Sequence, residues 1–280
     1  MLDFRKFPKR SLVLGFHSKE PSDEFLALVE RVRPFGIILF ARNFVSPNDI
    51  PGIVEKFISI YKDIEILIDQ EGGEKCRILG EPYCPPMPWN LRDEKPSVVY
   101  RYFKDSAEAL ARLGITINLA PVADIGIGKY IRTRTFGENP NRVAELVVAA
   151  VEGIFDGGLK PCVKHFTGIG SAELDPHKHL VQSDEPLENF EKIHWIPFRS
   201  AIDAGVPYIM TTHILAPSLD SENYATYSSK IVSKLRLLGF DGKILTDDLA
   251  QMKGAKLFPP EIRIEKALDS GHNIALWCKV

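Results

Sequence analysis

Residues able to do acid–base or nucleophilic chemistry recur in this chain directly after short apolar runs. Asp69 follows the run in ILIDQEGG, Asn118 and Asp124 lie in NLAPVAD, and Lys164 and His165 lie in VKHF. His213 lies in TTHI, and Asp247 and Asp248 lie in ILTDDL. One carboxylate in such a place ordinarily caps a turn or a helix. A series of them, after successive parallel strands, would converge on one mouth. There an ionised carboxylate can attack carbon, an imidazole can carry a proton, and lysine or arginine can donate to hydroxyl oxygens. The set suits a hydroxyl-rich substrate. It lacks the glycine-rich phosphate cradle of a nucleotide site.

Such a set needs a regular frame, and the apolar runs supply one. Strands are expected over 12–16, 36–40, 64–69, 115–119, 161–164, 208–211, 243–246 and 274–277. They are apolar throughout, as in a parallel sheet buried on both faces. Amphipathic stretches at 23–32, 49–61, 97–113, 142–155, 187–203, 230–238 and 261–268 read as helices between them. Ser22, the Ser46-Pro47-Asn48 run and Gly157-Gly158 are helix start and stop signals. Eight strands alternating with helices favour a single-domain (β/α)8 TIM barrel over 1–280. Two segments exceed an ordinary strand-to-helix loop: 71–96, with Pro82, Pro85, Pro86, Pro88 and Pro96, and 174–186. In a barrel such loops point to substrate contact.

Composition narrows the function classes. The 280 residues carry 35 basic and 37 acidic side chains, a formal net charge of −2, which gives no electrostatic case for nucleic acid or an anionic membrane. Hydrophobic residues make up 45% and charged ones 26%, which argues against disorder. No apolar run reaches the roughly 20 residues of a membrane helix, and the start lacks a signal-type core. Cys76, Cys84, Cys162 and Cys278 show no metal-ligand spacing. Four reduced thiols in a cytoplasmic protein are expected.

The segments GIILFARNF, LIDQEGG, NLAPVADIG, RTFGENP, VKHFTGIG, LDPHKHL and GFDGKILTDDL, in this order, resemble family 3 glycoside hydrolases of the bacterial β-N-acetylhexosaminidase branch. The resemblance covers nearly the whole chain. It implies a retaining hydrolase that removes β-linked N-acetylhexosamine through a covalent glycosyl-enzyme, with no metal, nucleotide or redox cofactor. By position it makes Asp247 the nucleophile, and leaves Asp248 to cap or orient. The branch carries an Asp-Ser-His element after strand five, matched here by Asp175-Pro176-His177. His177 would then exchange the proton and Asp175 would hold its ring. Asp69, Arg77, Arg134, Lys164 and His165 match the residues that bind the sugar.

Departures from the family pattern accompany these matches. The usual KHFPGHGD reads KHFTGIGS, placing Thr167, Ile169 and Ser171 where Pro, His and Asp are expected, and Glu74 replaces an Arg. These changes bear on substrate choice and on the loop carrying His177. A β-glucosidase-type or phosphorolytic glycosidase, an inactive relative and a non-catalytic sugar-binding barrel stay open at this point. Only Cys278, Lys279 and Val280 follow the eighth strand, with no eighth helix. The outer face of that strand is therefore expected to be covered by Met1–Pro8, by a second subunit, or by a C-terminal part absent from this sequence.

Overall fold

A computed structural model of the chain describes residues 2–169 and 171–280. Met1, at the head of the expected covering segment, and Gly170, within KHFTGIGS, lie outside them. Ten strands occur among the described residues: β1 (Leu12–Gly15), β2 (Gly36–Leu39), β3 (Glu65–Ile68), β4 (Ile117–Asn118), β5 (Lys160–Phe166), β6 (Val181–Gln182), β7 (Tyr208–Thr211), β8 (Ile214–Leu215), β9 (Lys243–Asp248) and β10 (Ile274–Trp277). Eight of them close a parallel barrel in the order β1-β2-β3-β4-β5-β7-β9-β10, with β10 paired back to β1. The fold is a (β/α)8 barrel, and every expected strand is present.

The strand sequences fold this way because both faces are dry. In β1, Leu12 and Leu14 join the outer layer between strands and helices, while Val13 joins the barrel interior. Ile38, Leu67, Ile117, Cys162, Met210, Leu245 and Leu276 fill the interior alongside it. Side chains alternate across each strand, so the positions two residues further along these inward rows reach the mouth.

The helices are α1 (Asp23–Val32), α2 (Ile50–Ile58), α3 (Pro96–Arg112), α4 (Pro140–Asp156), α5 (Leu187–Asn189), α6 (Ile196–Asp203), α7 (Ser229–Leu237) and α8 (Pro260–Asp269). Ser22 caps α1 by accepting from the Phe25 amide, Asn139 caps α4 ahead of Pro140, and Ser228 caps α7. The helix expected over 187–203 is instead α5 and α6 joined by a π-helical turn, Phe190–His194. That turn seats the buried His194 ring beneath Gly168, whose φ is +115° and where a Cβ would come within 2.9 Å of His194. Glycine is needed there because a side chain would meet both the strained φ and the ring.

Two loops depart from the sequence expectation. Segment 174–186 is not wholly irregular. It contains β6, which pairs in parallel with β8 and ties the loop after β5 to the loop after β7. In segment 71–96, Cys76 and Cys84 form a disulfide, with a Cα–Cα distance of 5.8 Å. Four reduced thiols were expected, and the correction has a plain cause: the loop folds back on itself and brings together residues that share no sequence motif. Cys162 and Cys278 are free and buried.

Residues of the chain itself cover the outer face of β10. Phe4 packs edge-on against Trp277 at 6.0 Å between ring centroids, and Phe4 and Phe7 are buried in the outer core. Arg263 of α8 lies over the same indole. No helix among the described residues is long and apolar enough to cross a membrane. Phe4→Ala should remove this cover at a cost of about 3 kcal/mol in urea unfolding. Unchanged stability would mean that the segment is not a structural part of the barrel.

Candidate active site

The inward rows turn polar at the barrel mouth. Leu67 is followed inward by Asp69, Cys162 by Lys164 and Leu245 by Asp247. Together with Glu71, Arg77, Arg134, His165 and His177 they line one pocket, whose apolar lining includes Ile38, Leu119, Met210 and Leu276. Of the residues given catalytic or sugar-binding roles from sequence, Asp175 does not line it, and of the other strand-end residues Asn118, Asp124 and His213 do not either.

A chain of alternating charges crosses the mouth. Arg77 Nη2 donates to Asp69 at 2.8 Å, and Lys164 Nζ reaches Asp69 and Glu71, each at 2.7 Å. Arg134 then forks onto both oxygens of Glu71 at 2.8 Å. Burial opposes ionisation of Asp69, but Lys164 and Arg77 outweigh it and hold its pKa at about 2. Burial also opposes ionisation of Glu71, and Arg134 and Lys164 hold its pKa well below the usual carboxylate range. The paired carboxylates in turn raise the pKa values of Lys164 and Arg134 against their own burial. All five groups are therefore charged at neutral pH. Arg77 is no surface ion pair: its guanidinium is half-buried and lies 5.2 Å from the Phe40 ring centroid.

Backbone supports fix this chain. Gln70, fully buried between Asp69 and Glu71, bonds through its side chain to the Arg77 and Ile78 amides and to the Ile78 and Tyr83 carbonyls. Its own backbone exchanges hydrogen bonds with the Asn118 side chain. Asn118 thus braces the site without entering it. His165 Nδ1 lies 2.7 Å from Asp124, and its Nε2 lies 3.3 Å from Arg134 Nη2. Arginine cannot accept, so Nε2 must offer a lone pair and Nδ1–H donates to Asp124.

The two aspartates ending β9 differ in their partners. Asp248 is spent on structure: it accepts from the Ala250 and Cys278 amides and from Gln251. Asp247 accepts from the Asp248 amide at 2.7 Å and otherwise faces the pocket. Burial works against its charge, but the imidazoles of His213 and His165 and that amide lower its pKa. His213 is completely buried behind it, with no hydrogen-bond partner on either ring nitrogen among the described residues, and burial lowers its own pKa. Asp247 belongs to the strand itself, since β9 runs to Asp248 rather than stopping at Thr246.

The loop after β5 brings an exposed His177 over the pocket. Asp175 accepts from the His177 backbone amide at 2.8 Å. Among the described residues, this amide contact is the hydrogen bond found between the two, and none joins the carboxylate to the imidazole. Ile169, in place of the family's His, is buried in an apolar cluster with Val122, Ile131, Ala172, Val181 and Ile214. Loss of a polar group there is matched by an apolar seat for the loop. No group of three or more His, Cys, Asp or Glu among the described residues could hold a metal ion.

Sequence reasoning missed Glu71, the hub of the charge chain, and Tyr130, which lines the pocket beside His177. Glu71 had a signal: it lies two residues after Asp69 and so on the same face of an extended strand. Tyr130 had none, because its loop has no periodicity.

The buried carboxylates make stability depend on pH. Their folded pKa values lie below the unfolded values of about 4. Their stabilisation is thus complete above that unfolded range and is lost as pH falls through it toward the Asp69 value of about 2. Thermal melts should show the wild type losing Tm as pH drops from about 5 to about 3. The Asp69→Asn/Glu71→Gln variant should be less stable at neutral pH and should show a flatter profile. An equal slope in both proteins would contradict the charge chain.

The same barrel occurs in known proteins. The N-terminal domain of glycosyl hydrolase family 3 matches residues 12–280. The beta-hexosaminidase of Nitrosomonas eutropha is 31% identical over 255 residues, which cover 87% of this chain and 73% of that protein. That of Alkalilimnicola ehrlichii is 29% identical over 279 residues, covering 95% and 80%. The structure of a family 3 beta-N-acetylglucosaminidase from Paenibacillus sp. superposes with a TM-score of 0.91 at 29% identity, covering 100% of this chain and 55% of that one. NagZ from Neisseria gonorrhoeae, solved with N-trifluoroacetyl-D-glucosamine, gives 0.88 at 26% identity, covering 97% and 82%. The chain belongs to glycosyl hydrolase family 3 and is a glycoside hydrolase.

Proposed function

We propose that this hydrolase removes β-linked N-acetylglucosamine from amino-sugar glycans, such as peptidoglycan fragments or chitooligosaccharides, with retention at the anomeric carbon. The observation that carries the reading is the contrast within the β9 pair. Both line the pocket, but Asp248 accepts three hydrogen bonds and burial favours its neutral form, whereas Asp247 accepts one and its surroundings favour the ionised carboxylate. The names of the similar proteins support the sugar assignment.

In this mechanism the terminal sugar sits among Asp69, Arg77, Arg134, Lys164 and His165, whose charged groups bond its hydroxyls more strongly than neutral ones would. Asp247 attacks the anomeric carbon while the His177 ring gives a proton to the glycosidic oxygen, and the aglycone leaves as a neutral alcohol. The product is an ester between Asp247 and the sugar. His177 then takes a proton from water as the water oxygen bonds to the same carbon and Asp247 departs. A second displacement restores the starting configuration. Asp175 sets the turn that presents His177.

The compartment belongs to the same proposal. A cytoplasmic location is retained, in which case the Cys76–Cys84 bond is an exception among cytosolic thiols. Thiol labelling of the protein from unreduced cells reads the state of that pair.

Assay on nitrophenyl β-glycosides of N-acetylglucosamine and glucose, with and without phosphate, tests the substrate and the acceptor. Release from the N-acetylglucosaminide, unaffected by phosphate, is the expected result. Sugar phosphate as product, or preference for glucose, would overturn the reading. Asp247→Ala should lower kcat at least a thousandfold, on the order found for other essential catalytic groups, while Asp248→Ala should cost stability more than turnover. The reverse ranking would move the nucleophile.

A further inference from the structure

We infer that Pro176 and the backbone amide of Lys253 form the positioning contact for the proton donor: they anchor the turn that carries His177 to the segment leaving the nucleophile strand. The inference rests on the assignment of His177 as acid and base. The loop after β5 is tied at its root, where the Ser171 and Ser183 hydroxyls lie 3.1 Å apart and β6 pairs with β8. Beyond that root, Pro176 is the only buried residue of 173–180. Its carbonyl accepts from the Lys253 amide at 3.1 Å. Among the described residues, this is the only backbone hydrogen bond from 173–180 to another segment. Proline has no N–H and a fixed φ, so this carbonyl is its one backbone hydrogen-bonding group and is aimed by the ring. The turn around it is a unit. The Asp175 carboxylate accepts from the His177 amide, and the Asp175 carbonyl from the Lys178 and His179 amides at 3.0 and 2.9 Å.

The segment that offers the Lys253 amide is itself fixed. Asp248 turns the chain out of β9 by accepting from the Ala250 amide at 2.9 Å and from the Gln251 side chain at 3.1 Å. Met252 is buried and lines the pocket with Gln251, His177 and Asp247. Gly254 is seated so closely that a Cβ there would lie 2.8 Å from the Tyr224 ring and 2.9 Å from the His213 carbonyl. The Lys253 side chain is exposed, so the tether is a backbone one. A single hydrogen bond thus joins the turn of the proposed acid to the strand of the proposed nucleophile. Small displacements of a reacting group cost large factors in rate, and this bond sets how His177 stands relative to Asp247.

Lys253→Pro removes the donor, Lys253→Ala keeps it and removes only the exposed side chain, and Pro176→Gly frees φ and deletes the buried ring. The test compares kcat/KM on N-acetylglucosaminides with a nitrophenyl and with an alkyl leaving group, in wild type, these three variants, His177→Ala and Pro176→Gly/His177→Ala. We expect Lys253→Pro and Pro176→Gly each to lose about tenfold on the alkyl glycoside, the worth of one hydrogen bond, and less than about twofold on the nitrophenyl one. Lys253→Ala should match the wild type on both, and Pro176→Gly should add no loss to His177→Ala. Should Lys253→Pro fail to fold, Pro176→Gly and the double variant carry the same decision. Loss in Lys253→Ala, equal loss on both substrates in Pro176→Gly, or an additive loss in the double variant would overturn the inference. If His177→Ala is selective while Lys253→Pro and Pro176→Gly are silent, the anchor alone fails. If His177→Ala falls equally on both substrates, the acid assignment fails and takes this inference with it.

Discussion

The alternating charges Arg77–Asp69–Lys164–Glu71–Arg134 are the interaction on which the rest of the mouth depends. Lys164 and Glu71 at its centre are shielded from water by the barrel, and Asp69 and Arg134 nearly so, so these charges would be strongly unfavourable alone. Pairing makes the row tolerable only as a unit, because removing one member leaves its neighbours charged and unpartnered. This is a weak way to stabilise a fold, since an apolar layer would serve as well or better. Its return is geometric: five donors and acceptors are held at fixed places around one pocket before any ligand arrives.

The barrel can afford that row because the layer below it is entirely apolar. The same two-residue alternation that stacks Val13, Leu67, Cys162 and Leu245 in the interior delivers Asp69, Lys164 and Asp247 to the next level. On the proposed assignment, the site is therefore rigid where it would grip the sugar and transfer the glycosyl group. It is built differently at His177, the proposed proton carrier. His177 rides on a turn held by single hydrogen bonds and an apolar seat, and its own side chain is exposed. A fixed nucleophile and an adjustable acid suit a reaction in which the aglycone must leave and water must enter at the same place.

Much of this was legible in the residues. All eight barrel strands were readable because strands buried on both faces carry unbroken apolar runs, and the polar residues just past them marked the mouth. What was not legible depends on partners distant in sequence. The disulfide between Cys76 and Cys84, the β6–β8 pair and the π-helical turn under Gly168 arise from loops meeting other loops. Asp175 was read as the partner of the His177 ring, yet its hydrogen bond goes to the backbone, a choice made by turn geometry rather than by residue type. Ile169 looked like a lost function, and in the fold it packs against Ile131, Val181 and Ile214 at the root of the loop.

The central claim is that this charged mouth presents Asp247, and no other carboxylate, to the anomeric carbon. The most direct measurement is covalent trapping with a fluorinated N-acetylglucosaminyl fluoride, which forms the glycosyl-enzyme but releases it slowly, followed by intact mass and peptide mapping. The account predicts one added sugar per chain, on Asp247, and none in Asp247→Ala. A label on Asp248, Asp69 or Glu71, or turnover with no adduct at all, would contradict it.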